Sequence, residues 1–375
     1  MPTSSPPRSS PDPLSRALTL AARGRFTTAP NPRVGAVVVR DGEVVGEGWH
    51  RRAGEPHAEV FALAAAGPRT RGATLYVNLE PCAHHGRTPP CCEAVAAAGL
   101  VRVVACHADP DPRVAGAGFA FLRAAGIEVE AGRLAEEAIE LNLAYLVQRT
   151  YGRPAVTLKW AASLDGRIAT ASGESKWITG ERARRVALEL REEHGAVLVG
   201  SGTVLADDPR LTRRLGRSGG ELVRAVADRR LRLAPDAALL GETGPVVVYT
   251  ESDEPEARAG LERRGAEVVR LERVTPAAML ADLGRRGVQS VLVEGGAGLA
   301  GAFFDAGLWE RVAAFAAPLL LGGAGAPSPL GGRGARRLAE GERLARVRVR
   351  RAGEDVWTTG IRSSCLRDLS ASVAV

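Results

Sequence analysis

The chain has 375 residues, 45% of them apolar, and a formal charge of +7. That length suits about two domains with separate cores, and no apolar run of roughly 18 residues or basic-then-apolar N-terminus speaks for a membrane span or a secretory leader. Five cysteines, three of them clustered, do not read as a disulfide framework, so a cytoplasmic protein without a membrane partner is expected.

Residues 1–12 are rich in Pro and Ser and predict a disordered leader. Residues 13–23 carry a helical pattern, and residues 34–40 and 43–50 alternate around Asp41-Gly42 as a hairpin. Strands at 75–78, 101–106 and 127–129 then alternate with helices at 58–66, 91–98, 118–125 and 134–147, an α/β layer architecture. Tyr151-Gly152-Arg153-Pro154 breaks the pattern, which places one domain at 13–150 and another at 151–375. The second series predicts strands at 155–161, 196–200, 222–227, 246–250, 267–271, 290–293 and 311–320, and closes on a hairpin of 345–351 and 354–361. No internal repeat is visible, so the two domains are unlike.

The positive charge raises the question of a nucleic-acid partner, because phosphate backbones reward Arg and Lys. Residues 1–150 hold 16 Arg, no Lys and 15 Asp plus Glu, a net +1. The excess lies in the second half, where Arg213, Arg214 and Arg217 cluster and could meet one small phosphorylated ligand. No nucleic acid is therefore expected as a partner.

His57-Ala58-Glu59, Pro81-Cys82 and Cys91 carry the chemistry of the first domain. Three protein ligands on a tetrahedral zinc leave a position for water, whose pKa falls to about 7. In the H-x-E plus P-C pattern of zinc deaminases the Glu binds no metal and moves the proton from water to the departing amine, a role that Glu59 fits. Eight residues separate Cys82 from Cys91, and Cys92 is also available, so counting leaves the third ligand open. A closed structural zinc site completed by His84 or His85 is the plainer alternative, but it would not need Glu59.

In the second domain the only two lysines, Lys159 and Lys176, stand against 48 arginines. An apolar strand also runs through Glu294 into a glycine-rich turn, where Gly296, Gly298 and Gly301 form a formal G-x-G-x-x-G that could approach phosphates. No acidic residue follows at the end of the next strand, so the turn fails the dinucleotide fingerprint of a Rossmann unit.

Residues 31–39 (NPRVGAVVV), His57-Ala58-Glu59 and residues 80–92 (EPCAHHGRTPPCC) resemble the deaminase domain of the bifunctional riboflavin-biosynthesis deaminase-reductase family, usually called RibD. Residues 159–165, 173–179, 203–209 and Glu294-Gly295-Gly296 resemble its reductase domain, and the motifs occur in the family's order over residues 13–362. The resemblance implies a cytidine-deaminase-like three-layer α/β/α domain followed by a dihydrofolate-reductase-like α/β domain. It implies one zinc ion on His57, Cys82 and Cys91, with Glu59 catalytic and Cys92 left to packing. Asn31 resembles a substrate-binding amide, and His50, His84 and Arg87 could reach polar groups or phosphate of the deaminase substrate. NADPH would contact Ala161, Trp177, Thr203, Asp207, Arg229 and the turn Gly296, Ala297, Gly298, Leu299, Ala300, Gly301 and Ala302. Ser175, Arg191, Leu211, Arg214 and Glu294 would line the second substrate site, with Lys159 holding sugar hydroxyls or phosphate. Arg229 departs from the Ser that the family often has there.

The implied substrate is a diaminopyrimidinone carrying a phosphoribosylamino group, deaminated to the aminouracil and then reduced from ribosyl to ribityl. A homo-oligomer is implied as well. The alternatives are a nucleic-acid or free-base zinc deaminase with an accessory reductase-like domain, a reductase with a zinc-dead deaminase relic, and a noncatalytic zinc-stabilised module.

Overall fold

The computed structural model describes residues 12–84, 90–218 and 220–374. The expected leader, save Asp12, and Arg87 lie outside the described residues. The chain divides into two compact units, one running to Leu146 and taking in the chain again from Leu369, the other spanning Val147–Asp368.

The first unit contains α1 (Pro13–Ala21), β1 (Gly35–Arg40), β2 (Glu43–Trp49), α2 (Ala58–Ala66), β3 (Thr74–Val77), α3 (Cys91–Ala97), β4 (Arg102–Ala105), α4 (Ala117–Ala124), β5 (Glu128–Ala131) and α5 (Ala135–Leu141). The division between units falls within α6 (Leu143–Tyr151). Asp12 caps α1 by accepting from Ser15 N at 3.1 Å, one of the orphan donors of a helix start, and a proline occupies the first helical position. The sheet runs β2-β1-β3-β4-β5, with β1 antiparallel to β2 and β3 and the remaining pairs parallel. One face packs Ala58 and Ala62 of α2, Val95 of α3 and Phe119 of α4 against Val38, Leu75 and Val103. The other packs Leu14, Ala17 and Leu20 of α1 and Ala138 of α5 against Val37 and Val104. Strand alternation thus sends the two residue sets to two helical layers, the three-layer arrangement implied by the resemblance.

Sequence periodicity predicts a single helix over 134–147, but the structure breaks it at Asn142. The Asn142 side chain is used elsewhere: its Oδ1 accepts from Arg33 N at 2.8 Å and its Nδ2 donates to Arg33 O at 3.0 Å. Buried Asn78 adds a donated bond to Arg33 O and accepts from Gly35 N. Two asparagines therefore fix the segment just after Asn31.

The second unit contains β6 (Ala155–Ser163), α7 (Glu181–Glu193), β7 (Ala196–Gly200), α8 (Ser201–Asp207), β8 (Val223–Ala227), β9 (Val246–Thr250), α9 (Pro255–Glu262), β10 (Ala266–Arg270), α10 (Pro276–Arg285), β11 (Ser290–Glu294), α11 (Ala297–Asp305), β12 (Arg311–Ala317), β13 (Leu344–Ala352) and β14 (Asp355–Arg362). Its nine-stranded sheet runs β10-β9-β8-β7-β11-β6-β12-β14-β13, parallel from β10 to β12 and antiparallel in the last two pairs. Met279 and Leu283 of α10 and Phe303 of α11 cover one face, while Val204 of α8, Leu261 of α9 and Leu190 of α7 cover the other. A last helix, α12 (Ser363–Ser372), follows β14 where the sequence pattern predicts no element.

In such a sheet the carboxyl ends of parallel strands gather at one edge, and a crevice opens where the chain order reverses. Here β11 returns between β7 and β6, so the turn after Glu294 lies beside the start of α8. A Cβ on Gly295 would stand 2.6 Å from Thr203 Oγ1, which shows how closely the two turns meet.

Two candidate sites on separate sheets

His57 sits immediately before α2, Cys91 opens α3, and Cys82 follows the carboxyl end of β3. The sheet edge thereby presents two helix starts and one strand exit to a common point. The ligand atoms of His57, Cys82 and Cys91 all lie within 4.8 Å of one another. His57 Nδ1 is 3.0 Å from Cys91 Sγ and 3.6 Å from Cys82 Sγ. Two soft sulfurs and one imidazole suit zinc, and three protein ligands would leave one position of a four-coordinate ion open. The thiol of Cys91 pulls Cys82 toward thiolate, to about 4, while hydrogen bonding to Cys82 and burial push Cys91 up. Cys92 is buried in the hydrophobic face and packs with Val95 and Leu100.

Glu59, in the first turn of α2, is buried, and its Oε2 has no hydrogen-bond partner among the described residues. Burial raises its pKa, so the carboxyl is poised to hold a proton more readily than an exposed glutamate. An unpartnered buried carboxylate oxygen beside three metal-type ligands is the orphan that a polar reacting group would satisfy.

His50 is buried with its Nδ1 3.1 Å from Pro56 O and its Nε2 3.1 Å from Asn31 Nδ2. Burial lowers its pKa. In the neutral ring that this favours, Nδ1–H donates to the carbonyl and Nε2 accepts from Asn31. Both nitrogens are thus engaged within the protein, and His50 orients Asn31. His84 is half-buried two residues after Cys82, and its Nδ1 is buried without a hydrogen-bond partner among the described residues.

Glu80 does more than precede Pro81-Cys82 in the motif. Its carboxylate accepts from the backbone N–H groups of Asp109, Gly116, Gly118 and Phe119 at 2.9–3.2 Å. It therefore anchors the Asp109–Asp111 turn next to the Pro81-Cys82 exit. Its place directly before Pro-Cys was the available signal.

In the second unit β6 and β11 set Lys159 and Glu294 side by side in register. Lys159 Nζ lies 3.7 Å from Glu294 Oε2, and Arg191 of α7 clamps the same carboxylate through bonds of 2.7 and 2.9 Å. Burial alone would raise the pKa of Glu294, but Arg191 and Lys159 outweigh it and hold it at about 2. The triad keeps one net positive charge, largely out of water. Lys159, expected to hold sugar or phosphate, shares its charge with Glu294 and rests 5.9 Å from the Phe315 ring centroid.

Ser175 Oγ donates to Asp207 Oδ1 at 3.3 Å, and Lys176 Nζ donates to Asp207 O at 2.7 Å, so the loop before α7 is pinned to the end of α8. Trp177 projects from that loop, 70% exposed, with the Arg184 guanidinium 4.6 Å over its ring. Ala161 lies on β6 facing α7, two residues beyond Lys159. Thr203 meets Gly295 and Gly296. Arg229 follows β8, exposed and 3.8 Å from Glu251. Leu211 is buried in the core with φ of 54°.

The glycine turn separates into parts. Gly295, Gly296 and Gly298 are exposed, with φ of 80° and 59° at the first two and open space where a Cβ on Gly298 would point. Ala297 and Leu299 are half-buried, Ala300 is buried, and Ala302 is half-buried. Gly301 is buried, and its Cβ would stand 2.2 Å from Gly331 O. The first three glycines form a cradle at a helix N-terminus, while Gly301 serves the approach of another loop.

Comparison with known proteins follows the same division. Residues 10–107 match the cytidine and deoxycytidylate deaminase zinc-binding region, and residues 154–358 match the RibD C-terminal domain. The chain is 47% identical over 328 residues to the riboflavin biosynthesis protein RibD of Escherichia coli, covering 82% of this chain and 88% of that one. It is 42% identical over 341 residues to the Aquifex aeolicus RibD, covering 91% and 95%. Among solved structures, Acinetobacter baumannii RibD superposes with a TM-score of 0.81 at 40% identity, covering 94% of this chain and 98% of that one. A deaminase/reductase from Thermotoga maritima superposes with a TM-score of 0.80 at 36% identity, covering 93% and 97%. None of the described helices is long and apolar enough to cross a membrane.

Proposed function

Because the chain belongs to the RibD family of bifunctional riboflavin-biosynthesis deaminase-reductases, we propose that its two units perform successive steps on one phosphorylated pyrimidine. The first removes an exocyclic amine from the diaminopyrimidinone that bears a phosphoribosylamino group. The second reduces the ribosyl group of the resulting aminouracil to ribityl.

The observation that carries the first step is the convergence of His57, Cys82 and Cys91 within 4.8 Å beside the unpartnered Glu59 Oε2. Zinc on these ligands supplies a hydrolytic nucleophile at neutral pH. Glu59 accepts a proton from the attacking water and returns it to the leaving amine, a transfer favoured by its raised pKa. Asn31, held by His50, presents its amide oxygen and remaining N–H to the pyrimidine. Arg87 and His84 are assigned to the polar substituents of the same substrate.

For the second step, NADPH supplies the hydride. Gly295, Gly296 and Gly298 make room for its phosphates at the start of α11, and Thr203, Asp207, Ala161, Trp177 and Arg229 line its path. Arg191, Glu294 and Lys159 fix the ribosyl chain, with Ser175 and Arg214 beside them. Arg229 offers a cation to the extra phosphate of NADPH where the family often has Ser.

The test supplies zinc-loaded protein with the diamino phosphoribosyl substrate and identifies products by mass spectrometry. Aminouracil without NADPH, and its ribityl form with NADPH, are expected. Glu59→Gln is expected to bind zinc, release no ammonia and still reduce pre-deaminated substrate. Unchanged substrate in a folded, zinc-containing sample would refute the assignment.

A further inference from the structure

Arg213, Arg214 and Arg217 stand together in the sequence, yet the structure gives them three different tasks. Arg213 Nε donates to Arg191 O at 3.1 Å and its Nη2 to His194 O at 2.6 Å, while Nη1 reaches Gly220 O. Its charge is therefore committed to carbonyls at the end of α7, where helix termini leave acceptors without partners. Arg217 pairs with Glu189 at 3.1 Å. Arg214 remains exposed, its Nε 3.3 Å from Thr212 Oγ1, with no ion-pair partner among the described residues.

The same helix end reaches back to this loop. Glu192 is buried, and its carboxylate accepts from Leu215 N at 2.9 Å, Arg217 N at 3.1 Å and Ser218 N at 3.0 Å. Neither the hydride step nor the cofactor cradle uses it. Glu192 and Arg213 thus form a reciprocal lock: the helix supplies a carboxylate to three loop N–H groups, and the loop supplies a guanidinium to two helix-end carbonyls. Leu211 at the head of the loop holds φ of 54°, a left-handed conformation that a leucine keeps only where its surroundings enforce it. Arg191 joins the lock to the chemistry, since its carbonyl takes Arg213 and its side chain clamps Glu294.

We propose that Glu192 and Arg213 are positioning residues for the reductase substrate, holding the loop from Leu211 to Ser218 so that Arg214 meets the phosphate of the phosphoribosyl group. This rests on the reading of Arg214 as a substrate residue. A guanidinium recognises phosphate through two directed bonds, so its placement matters more than its mere presence.

The experiment measures NADPH-dependent reduction by the full-length protein, using the deaminated phosphoribosyl substrate and its dephosphorylated counterpart. The variants are Glu192→Gln, Arg213→Gln and, as the reference for phosphate contact, Arg214→Gln. All three are expected to raise KM for the phosphorylated substrate about tenfold with kcat within about twofold. With the dephosphorylated substrate they are expected to match the parent, and the NADPH dissociation constant is expected to stay unchanged, which also reports that the unit is folded. If Arg214→Gln raises KM while both folded lock variants leave it unchanged, the lock is overturned and the function of Arg214 stands. If Arg214→Gln itself leaves KM unchanged, both fall. Equal losses on the two substrates would mark a merely structural role and overturn the proposal as well.

Discussion

Glu294 shows what a single buried side chain contributes to the second unit. It faces Lys159 and accepts both Arg191 bonds, so the three charges are mutually dependent. Breaking one partner of a buried pair commonly costs about 3–5 kcal/mol, because the remaining charge is left uncompensated. Glu294→Gln is therefore expected to lower stability by that order at neutral pH. The folded pKa of about 2 lies below the ordinary glutamate value, so the unfolded chain binds more protons as pH falls. The stabilisation is present above the ordinary value near 4.3 and is lost as pH drops toward 2. Denaturant titrations of the second unit's unfolding between pH 5 and pH 2 should show a steeper decline in the parent than in Glu294→Gln, and equal slopes would contradict the argument. At the same scale, the sequence alone leaves His50 between a substrate contact and a hairpin-end histidine. Its two nitrogens face Pro56 O and Asn31 Nδ2, and no spacing rule announces such a pairing.

At the scale of elements, most helices and strands were legible because apolar periodicity and turn residues agreed. The hairpin of β1 and β2 around Asp41-Gly42 and helix α2 appeared where the pattern predicts them. The break at Asn142 did not, because a side chain bonding to Arg33 leaves no mark on local periodicity. The G-x-G-x-x-G string likewise conceals two functions. Gly295, outside that string, meets Thr203 at a distance no Cβ could tolerate and has φ of 80°. Gly295→Ala should displace the turn from α8 and weaken NADPH binding by at least about tenfold, measured by fluorescence titration, while deamination is unaffected. Unaltered NADPH affinity would show that the turn does not shape the cofactor site.

At the scale of the whole molecule, two sheets carry two chemistries. Chelating the metal is expected to abolish ammonia release while NADPH-dependent reduction of the aminouracil substrate continues, since none of His57, Cys82 and Cys91 belongs to the second unit. Parallel assays before and after dialysis against a chelator check this, and simultaneous loss of both activities in a folded sample would contradict it. The sequence by itself determined the α/β class, the H-x-E and P-C ligand pattern and the family, because these rest on residue type and local spacing. Only the tertiary structure decided how three neighbouring arginines divide between helix-end carbonyls, a glutamate and solvent, that Gly301 packs against Gly331, that Lys159 shares its charge with Glu294, and that the chain's last residues count with the first unit. Those outcomes depend on partners far away in the chain, and a short-range pattern holds no record of which distant atom a side chain will meet.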